Sequence, residues 1–427
     1  MEPGSPLRVE DIRLGDVNFW TQSLEEREAV FATLRRERPV SFHEEPEVPL
    51  LGKGPGFWAL TRHADILEVS RDAATFSSAR GGVNIVDQPP EFNEFFGSMI
   101  VMDDPRHTRL RRIVSHGFTP GMLRKTEADV QRAATDVIDG VIDKGQCDFV
   151  TEIAAALPLQ IICRMMGIPA SEYRYVFDRT NRILGAADPE YVADLAGSIP
   201  ALLQAGSDLA ALLGSLARHR REHPSDDLTS ALVRADVDGE RLTEQEIGSF
   251  FVLLVVAGNE TTRNAISHGM KALCDHPEQR RLWAQDFDTI APTAVEEIVR
   301  WATPVIHFRR TATRDTAIGK QRIREGEKVV MWYNSGNRDE AVFHDPHRFD
   351  VRRTPNDHVG FGGPGPHYCL GAHLARREIT VMFRELFRRV PDLEVAGEPV
   401  RLRSFFINGI KHMPCAFTPG GAARRSG

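Results

Sequence analysis

The chain has 427 residues, 41% of them hydrophobic and 26% charged. That composition excludes a disordered or fibrous protein and leaves room for an extensive core around a cofactor. A formal charge of -7 argues against a dedicated nucleic-acid binder. The N-terminus lacks a cationic segment followed by an apolar run, and no stretch approaches the roughly 20 residues of a bilayer crossing, so a cytoplasmic protein without a membrane span is expected.

In chain order, Gly56–Thr61 (GFWALT) reads as a strand leading into a helix over His63–Val69. Apolar residues at three- and four-residue spacing predict helices over Lys125–Ile142, Leu242–Asp275, Pro292–Trp301 and Leu370–Val390, and Glu327–Trp332 reads as another strand. The expected class is therefore mainly α with a smaller β region. No linker divides the chain, so one domain is expected over 1–419, followed by a small, charged, disordered tail at 420–427.

The longest predicted helix has its own start signal in the capping box Thr243-x-x-Glu246, and it ends before Pro277. At about 1.5 Å per residue it is a rod of roughly 45 Å, long enough to cross the domain. Midway, the apolar run FFVLLVVA gives way to Gly258-Asn259-Glu260-Thr261-Thr262. A glycine and polar side chains inside a buried helix are unfavourable, so they point to chemistry there.

Five cysteines, at 147, 163, 274, 369 and 415, are odd in number and scattered, which suits reduced thiols. Cys369 differs from the rest. It ends the glycine-rich loop Phe361-Gly-Gly-Pro-Gly-Pro-His-Tyr-Cys369-Leu-Gly371 and begins a predicted helix, whose free N–H groups and dipole favour a thiolate. A thiolate is the axial ligand that promotes O–O cleavage at haem iron. The alternatives are an inert buried thiol and a zinc site built from His367, Cys369 and His373, which lacks a further cysteine pair or HExxH partner. Elsewhere, Glu297 and Arg300 stand at i and i+3 on one helix face.

At these motifs the sequence resembles the cytochrome P-450 superfamily, in family order from about residue 58 to 412. The resemblance implies a triangular α-helical domain with the long central helix lying over haem b. It makes Cys369 the iron ligand, sets Phe361 under the haem, gives Gly365 the turn and lets Gly371 admit the following helix. Phe361 stands eight residues before Cys369, where most members place it seven before. Propionate anchors would be His107 and Arg111 in DPRHTRLRR, Arg310 in HFRRTA, and His367. Gly258 would let dioxygen sit against the helix while Glu260 and Thr261 deliver protons. Glu297, Arg300 and Arg348 of DPHRF would form a structural lock behind the haem.

By the same resemblance, Ile85, Val86, Phe92, Phe95, Phe96, Met99, Ile100, Ile183, Leu184, Val255, Val305, Ile306, Phe406 and Ile407 would line an apolar substrate pocket. The wording of FFGSMIVMDDPRHTRLRRIVS and LLVVAGNETTRNAISHG is similar to a bacterial group that hydroxylates the chain ends of methyl-branched lipids, isoprenoids and sterol side chains. With no flavin or iron–sulfur motif of its own, such a monooxygenase would use O2 and draw electrons from a ferredoxin and its NAD(P)H-dependent reductase. Arg106, Arg109, Arg112, Arg376, Arg377 and Arg384 would then offer a dock for that acidic partner. A peroxygenase would lack the Glu260–Thr261 pair, and a haem-binding sensor would not need it.

Overall fold

The computed structural model describes residues 8–16, 18–48, 52–116, 120–185, 188–192, 195–236 and 239–420, so the expected tail beyond Gly420 lies outside the described residues. Its helices are α1 (Leu24–Glu37), α2 (His63–Arg71), α3 (Pro90–Gly97), α4 (Arg106–His116), α5 (Pro120–Asp139), α6 (Ala156–Met166), α7 (Tyr173–Leu184) and α8 (Leu195–Glu222). Then follow α9 (Leu228–Arg234), α10 (Glu244–Asp275), α11 (Pro277–Gln285), α12 (Phe287–Ala302), the single turn α13 (Tyr333–Gly336) and α14 (Ala372–Arg389). The strands that matter for the site are β1 (Val40–His43), β2 (Phe57–Leu60), β3 (Phe76–Ser77), β4 (Gln146–Asp148), β5 (His307–Ala312), β6 (Lys328–Trp332), β7 (Val400–Arg401), β8 (Ile410–His412) and β9 (Pro414–Ala416).

α10 is the axis of the molecule. Thr243 accepts from the Glu246 amide while the Glu246 carboxylate takes the Thr243 amide, so the predicted capping box is formed. Its 32 residues span about 48 Å. Ile247, Phe250, Phe251, Val255, Ile266, Met270 and Leu273 are buried in the main core, where α3, α6, α8, α12 and α14 pack around the helix. The β region lies to one side as a five-stranded sheet in the order β1-β2-β6-β5-β3, in which β2 and β6 are parallel and the other pairs antiparallel. α1 and the turn before it pack over this sheet, with Phe31 and Trp20 both against Trp332 of β6.

Two predicted boundaries shift. α5 begins at Pro120 and stops at Asp139, because Gly140 follows, rather than running to Ile142. α12 begins at Phe287 and carries Pro292 inside it; Pro292 is exposed, so the carbonyl it leaves without a partner faces water, while Ile290, Ala291, Ala294 and Val295 hold the turn in the core. Against the expectation of no candidate span, Phe149–Met166 and Ile199–Glu222 are long and apolar enough to cross a bilayer. The first is 72% buried within the fold, and the second carries Asp208, tied to Arg179 at 3.0 Å.

Candidate active site around Cys369

The loop before α14 is fixed from outside. Asn337, just after α13, accepts the Val359 amide at 2.7 Å, and the Cys369 amide donates to the Phe361 carbonyl at 3.1 Å. Gly362 and Gly365 adopt φ of +84° and +150°, and a Cβ on Gly365 would stand 2.3 Å from the Ser70 carbonyl oxygen at the end of α2. The loop thus crosses the end of α2 at a distance only glycine allows. Phe361 lies under the Arg376 guanidinium, 4.4 Å from ring centroid to cation.

Of the five cysteines, Cys369 alone is exposed; Cys147, Cys163 and Cys415 are buried and Cys274 is half-buried. Protein crowds its thiol although solvent reaches the residue, the combination that a side chain at the floor of a concavity shows. That surrounding protein raises the thiol pKa above its ordinary value, while the amides of Gly371 and Ala372 and the guanidinium groups of Arg111 and Arg376 pull it down. Burial without such donors drives Cys163 up to about 12. The zinc reading fails: among the described residues, no three His, Cys, Asp or Glu side chains gather as a metal site.

Beside the sulfur, α4, β5 and the loop bring together His107, Arg111, Arg310 and His367. The rings of His107 and His367 are 4.3 Å apart, and both His107 nitrogens are buried without a hydrogen-bond partner. His367 meets the Ser78 hydroxyl at 3.0 Å, Arg111 donates to the Tyr368 carbonyl at 2.7 Å, and buried Arg310 donates to its neighbour's carbonyl at 2.8 Å. Burial, then Arg310, His107 and Arg111, push the His367 pKa down to about 2; burial and Arg111 lower that of His107. Among the described residues no carboxylate forms an ion pair with Arg111 or Arg310, and the nearest to His107 is Asp104 at 3.9 Å. Two guanidinium groups and two imidazoles, one of them with both nitrogens unpartnered, next to an accessible cysteine, fit a flat macrocycle that carries two carboxylates. Haem meets that description.

α10, against which α14 packs, changes character at its middle. Ala257 is exposed and Thr261 half-exposed, although the helix is buried on both sides of them. Thr261 donates to the Ala257 carbonyl at 2.8 Å. Glu260 faces the other way: it is fully buried, ion-paired with Arg263 and bonded by Asn264 at 3.0 Å, while Arg263 reaches Asn181 of α7 at 2.8 Å. One Glu260 oxygen and both amide atoms of Asn259 have no partner. The expected pair is therefore adjacent in sequence but divided between two helix faces. A Cβ on Gly258 would meet buried Ile162 at 3.3 Å, so this glycine lets α10 pack closely on α6.

Behind the loop, Glu297 and Arg300 are fully buried and doubly bonded at 2.7 and 2.8 Å. Arg348 is not the third member. Its side chain is exposed and only its carbonyl takes part; Arg353, five residues on, bonds Glu297 at 3.1 Å and the carbonyls of His344, Asp345 and Arg348. Sequence reasoning also missed Glu296, whose carboxylate holds His358 at 2.8 Å and Arg376 at 2.5 Å, tying α12 to both the loop and α14. The adjacent Glu-Glu was its only sequence signal. A second missed group is Glu378 of α14, 3% exposed beside Thr262, whose pKa burial raises to about 8.

The expected lining divides. Val86, Phe92, Phe95, Phe96, Ile100, Ile183, Leu184, Val305 and Phe406 are partly exposed. Ile85, Met99, Val255, Ile306 and Ile407 are buried in the core, and Ile85 and Ile306 pack with the α1 cluster. The basic dock is also weaker than its sequence suggests. Arg106, Arg109, Arg112, Arg376 and Arg384 pair with Glu94, Glu246, Glu240, Glu296 and Asp288, because carboxylates distant in sequence meet them.

Comparison with known proteins agrees with this geometry. The family model described as "Cytochrome P450" matches residues 56–391. A methyl-branched lipid omega-hydroxylase of Mycobacterium tuberculosis is 51% identical over 97% of this chain and 97% of its own length. A steroid C26-monooxygenase of Mycolicibacterium smegmatis is 41% identical over 93% of this chain and 92% of its own. The solved structure of a Mycobacterium marinum cytochrome P450 in complex with pseudoionone superposes with a TM-score of 0.91 at 46% identity, covering 97% of this chain and all of that one.

Proposed function

This chain belongs to the cytochrome P450 family, and from that premise we propose that it hydroxylates the terminal methyl of a methyl-branched lipid, isoprenoid or sterol side chain. Haem b held there would supply the iron that activates dioxygen, so that with two electrons and two protons one oxygen atom enters a substrate C–H bond and the other leaves as water. The rest is the work of the chain. Cys369 would hold the iron, under the amides of Gly371 and Ala372. His107, Arg111, Arg310 and His367 would hold the two carboxylates, and Phe361 would pack beneath the ring. Glu297, Arg300 and Arg353, with Glu296 and Arg376, would fix the loop in place.

Thr261 presents its hydroxyl to the concavity and would pass protons that Glu260 takes up from the other face of α10. Phe92, Phe96, Val305 and Phe406 would exclude water and guide an apolar chain end toward the reacting centre, since a terminal methyl is attacked only when geometry withholds the weaker neighbouring C–H bonds. Electrons would come from a ferredoxin and its NAD(P)H-dependent reductase.

The observation that carries this reading is the accessible Cys369 flanked by His107, Arg111, Arg310 and His367, among which no described carboxylate comes closer than Asp104 at 3.9 Å from His107, in a chain half identical to an omega-hydroxylase. The test is a spectral titration of the holoenzyme with branched lipids, sterols and straight-chain acids, followed by product analysis with ferredoxin and reductase. Terminal alcohols from the branched substrates are expected. The absence of any spin-state change with every branched lipid and sterol would overturn the substrate assignment.

A further inference from the structure

A single cation stands between α12 and the cysteine loop. Arg376 of α14 donates from Nε to Glu296 Oε1 at 2.5 Å and from Nη2 to Glu296 Oε2 at 3.0 Å, so the carboxylate grips both arms of the fork. On its other side the same guanidinium lies 4.4 Å from the Phe361 ring, and Nη2 reaches the Tyr368 hydroxyl at 3.4 Å. Phe361 and Tyr368 bracket Cys369. The Phe361 carbonyl accepts the Cys369 amide at 3.1 Å, and Tyr368 is the residue before Cys369 in the chain. Of the guanidinium groups near the site, Arg111 and Arg376 are the two whose charge acts on the sulfur.

The neighbours of the pair leave its charges as they are. His358 meets Glu296 Oε2 through Nε2 at 2.8 Å, while its Nδ1 accepts the Gly360 amide at 3.1 Å. Nδ1 therefore holds a lone pair, the proton is on Nε2, and the imidazole is neutral. Glu297, next in the chain to Glu296, is turned away to Arg300 and Arg353. Glu296 reaches the loop only through His358, three residues before Phe361, whereas Arg376 touches Phe361 and Tyr368 themselves. The cation is thus nearer to Cys369 than its counter-charge. A carboxylate one contact farther off cancels only part of the field that the guanidinium exerts at the sulfur.

We propose that Arg376 sets the electron affinity of the iron bound at Cys369, and that Glu296 holds this charge in place and limits its effect. Both are positioning residues, because neither touches the reacting atoms. One-electron reduction makes the iron and its sulfur ligand more negative, so a nearby cation favours the reduced form and a nearby anion opposes it. Glu296 and Arg376 are both half-buried, which keeps water and salt from screening the effect away. The inference rests on Cys369 as the iron ligand. The absorption band of the reduced parent with carbon monoxide reports that ligand independently of any potential.

The test is a potentiometric titration of the substrate-free holoprotein and its variants, with the carbon monoxide band recorded for each. Glu296→Gln keeps an acceptor for the guanidinium but removes the anion, and is expected to raise the midpoint potential. Arg376→Met removes the cation and is expected to lower it, with the double variant falling between the two. Arg376→Lys keeps the charge without the fork, so its potential is expected above that of Arg376→Met. A role in packing alone predicts otherwise: both single variants break the same contact and would move the potential in the same direction. Single variants that shift together or not at all, while the parent keeps its thiolate band, would overturn the proposal and leave the ligand standing. Should Glu296→Gln not retain haem, the lysine and methionine variants decide, and equal potentials in those two count against the proposal. A parent without the thiolate band would remove the ligand reading and this inference with it.

Discussion

Glu378→Gln isolates a single buried acid. The carboxyl is 3% exposed between α14 and α10, with the Thr262 side chain as its partner, and burial raises its pKa from an ordinary 4.5 to about 8. In the unfolded chain the group ionises above pH 4.5, whereas in the folded chain it stays protonated until about pH 8. The folded state therefore binds the extra proton between those limits. Its contribution to stability is whole below pH 4.5 and is lost as pH rises toward 8, by about 1.4 kcal/mol per pH unit and by about 5 kcal/mol at most. Glutamine keeps the shape and a donor for Thr262 but cannot ionise. Variant and parent are expected to unfold at similar denaturant concentrations at pH 5, and the variant is expected to be more stable by a few kcal/mol at pH 8. Denaturation of both holoproteins at pH 5, 6.5 and 8, followed by haem absorbance and far-ultraviolet circular dichroism, measures the difference. Two curves that stay parallel across that range would refute the idea that Glu378 is a buried neutral acid.

Arg353→Met should destabilise by about 1–3 kcal/mol because it strips one partner from buried Glu297, whereas Arg348→Met should stay within about 0.5 kcal/mol, as unfolding of the pair in urea will tell. Cys369→Ser should abolish the absorption band that thiolate-ligated, reduced haem shows with carbon monoxide; retention of that band would remove Cys369 as the ligand. Arg310→Met should speed haem transfer to apomyoglobin, since it withdraws a buried cation from the carboxylates of the ring. Thr261→Ala should leave the substrate-induced spectral shift intact while diverting reducing equivalents from product to peroxide, read as the ratio of product formed to NAD(P)H consumed.

Motifs local in sequence were legible; the side chains that meet them from elsewhere were not. The start of α10 could be read from Thr243 and Glu246, because a capping box is complete within four residues. Cys369 could be singled out because its glycines and its helix are its immediate neighbours. The choice between Arg348 and Arg353 could not be made this way. Both lie in an irregular stretch where no periodicity fixes direction, and only the fold decides which side chain turns toward Glu297. Ile85 likewise reads as pocket lining by its position, yet it is 1% exposed, because the irregular segment that carries it packs on the α1 cluster. The arginine patch failed for the same reason in reverse: the carboxylates that neutralise it come from α3, α10, α12 and the segment before α10.

Glu260 and Thr261 show where reading a motif as a unit misleads. Successive residues on an α-helix point about 100° apart, so an acid and an alcohol side by side in sequence need not face the same cavity. Here the alcohol bonds its own helix at Ala257, and the acid is turned toward Arg263 and Asn264. Asn264 in turn accepts the Ile410 amide of β8, and Arg263 reaches Asn181 of α7, so the acid is locked to two elements that the alcohol does not touch. A proton passing from one to the other must travel round the helix through an intermediary, either a water or a side chain that swings. The unpartnered Oε2 of Glu260 and the unpartnered amide of Asn259 are the buried polar atoms nearest such a route in sequence. Neutralising Arg263 would then slow proton delivery by releasing Glu260 from its fixed orientation, although Arg263 stands on the opposite face of α10 from the concavity.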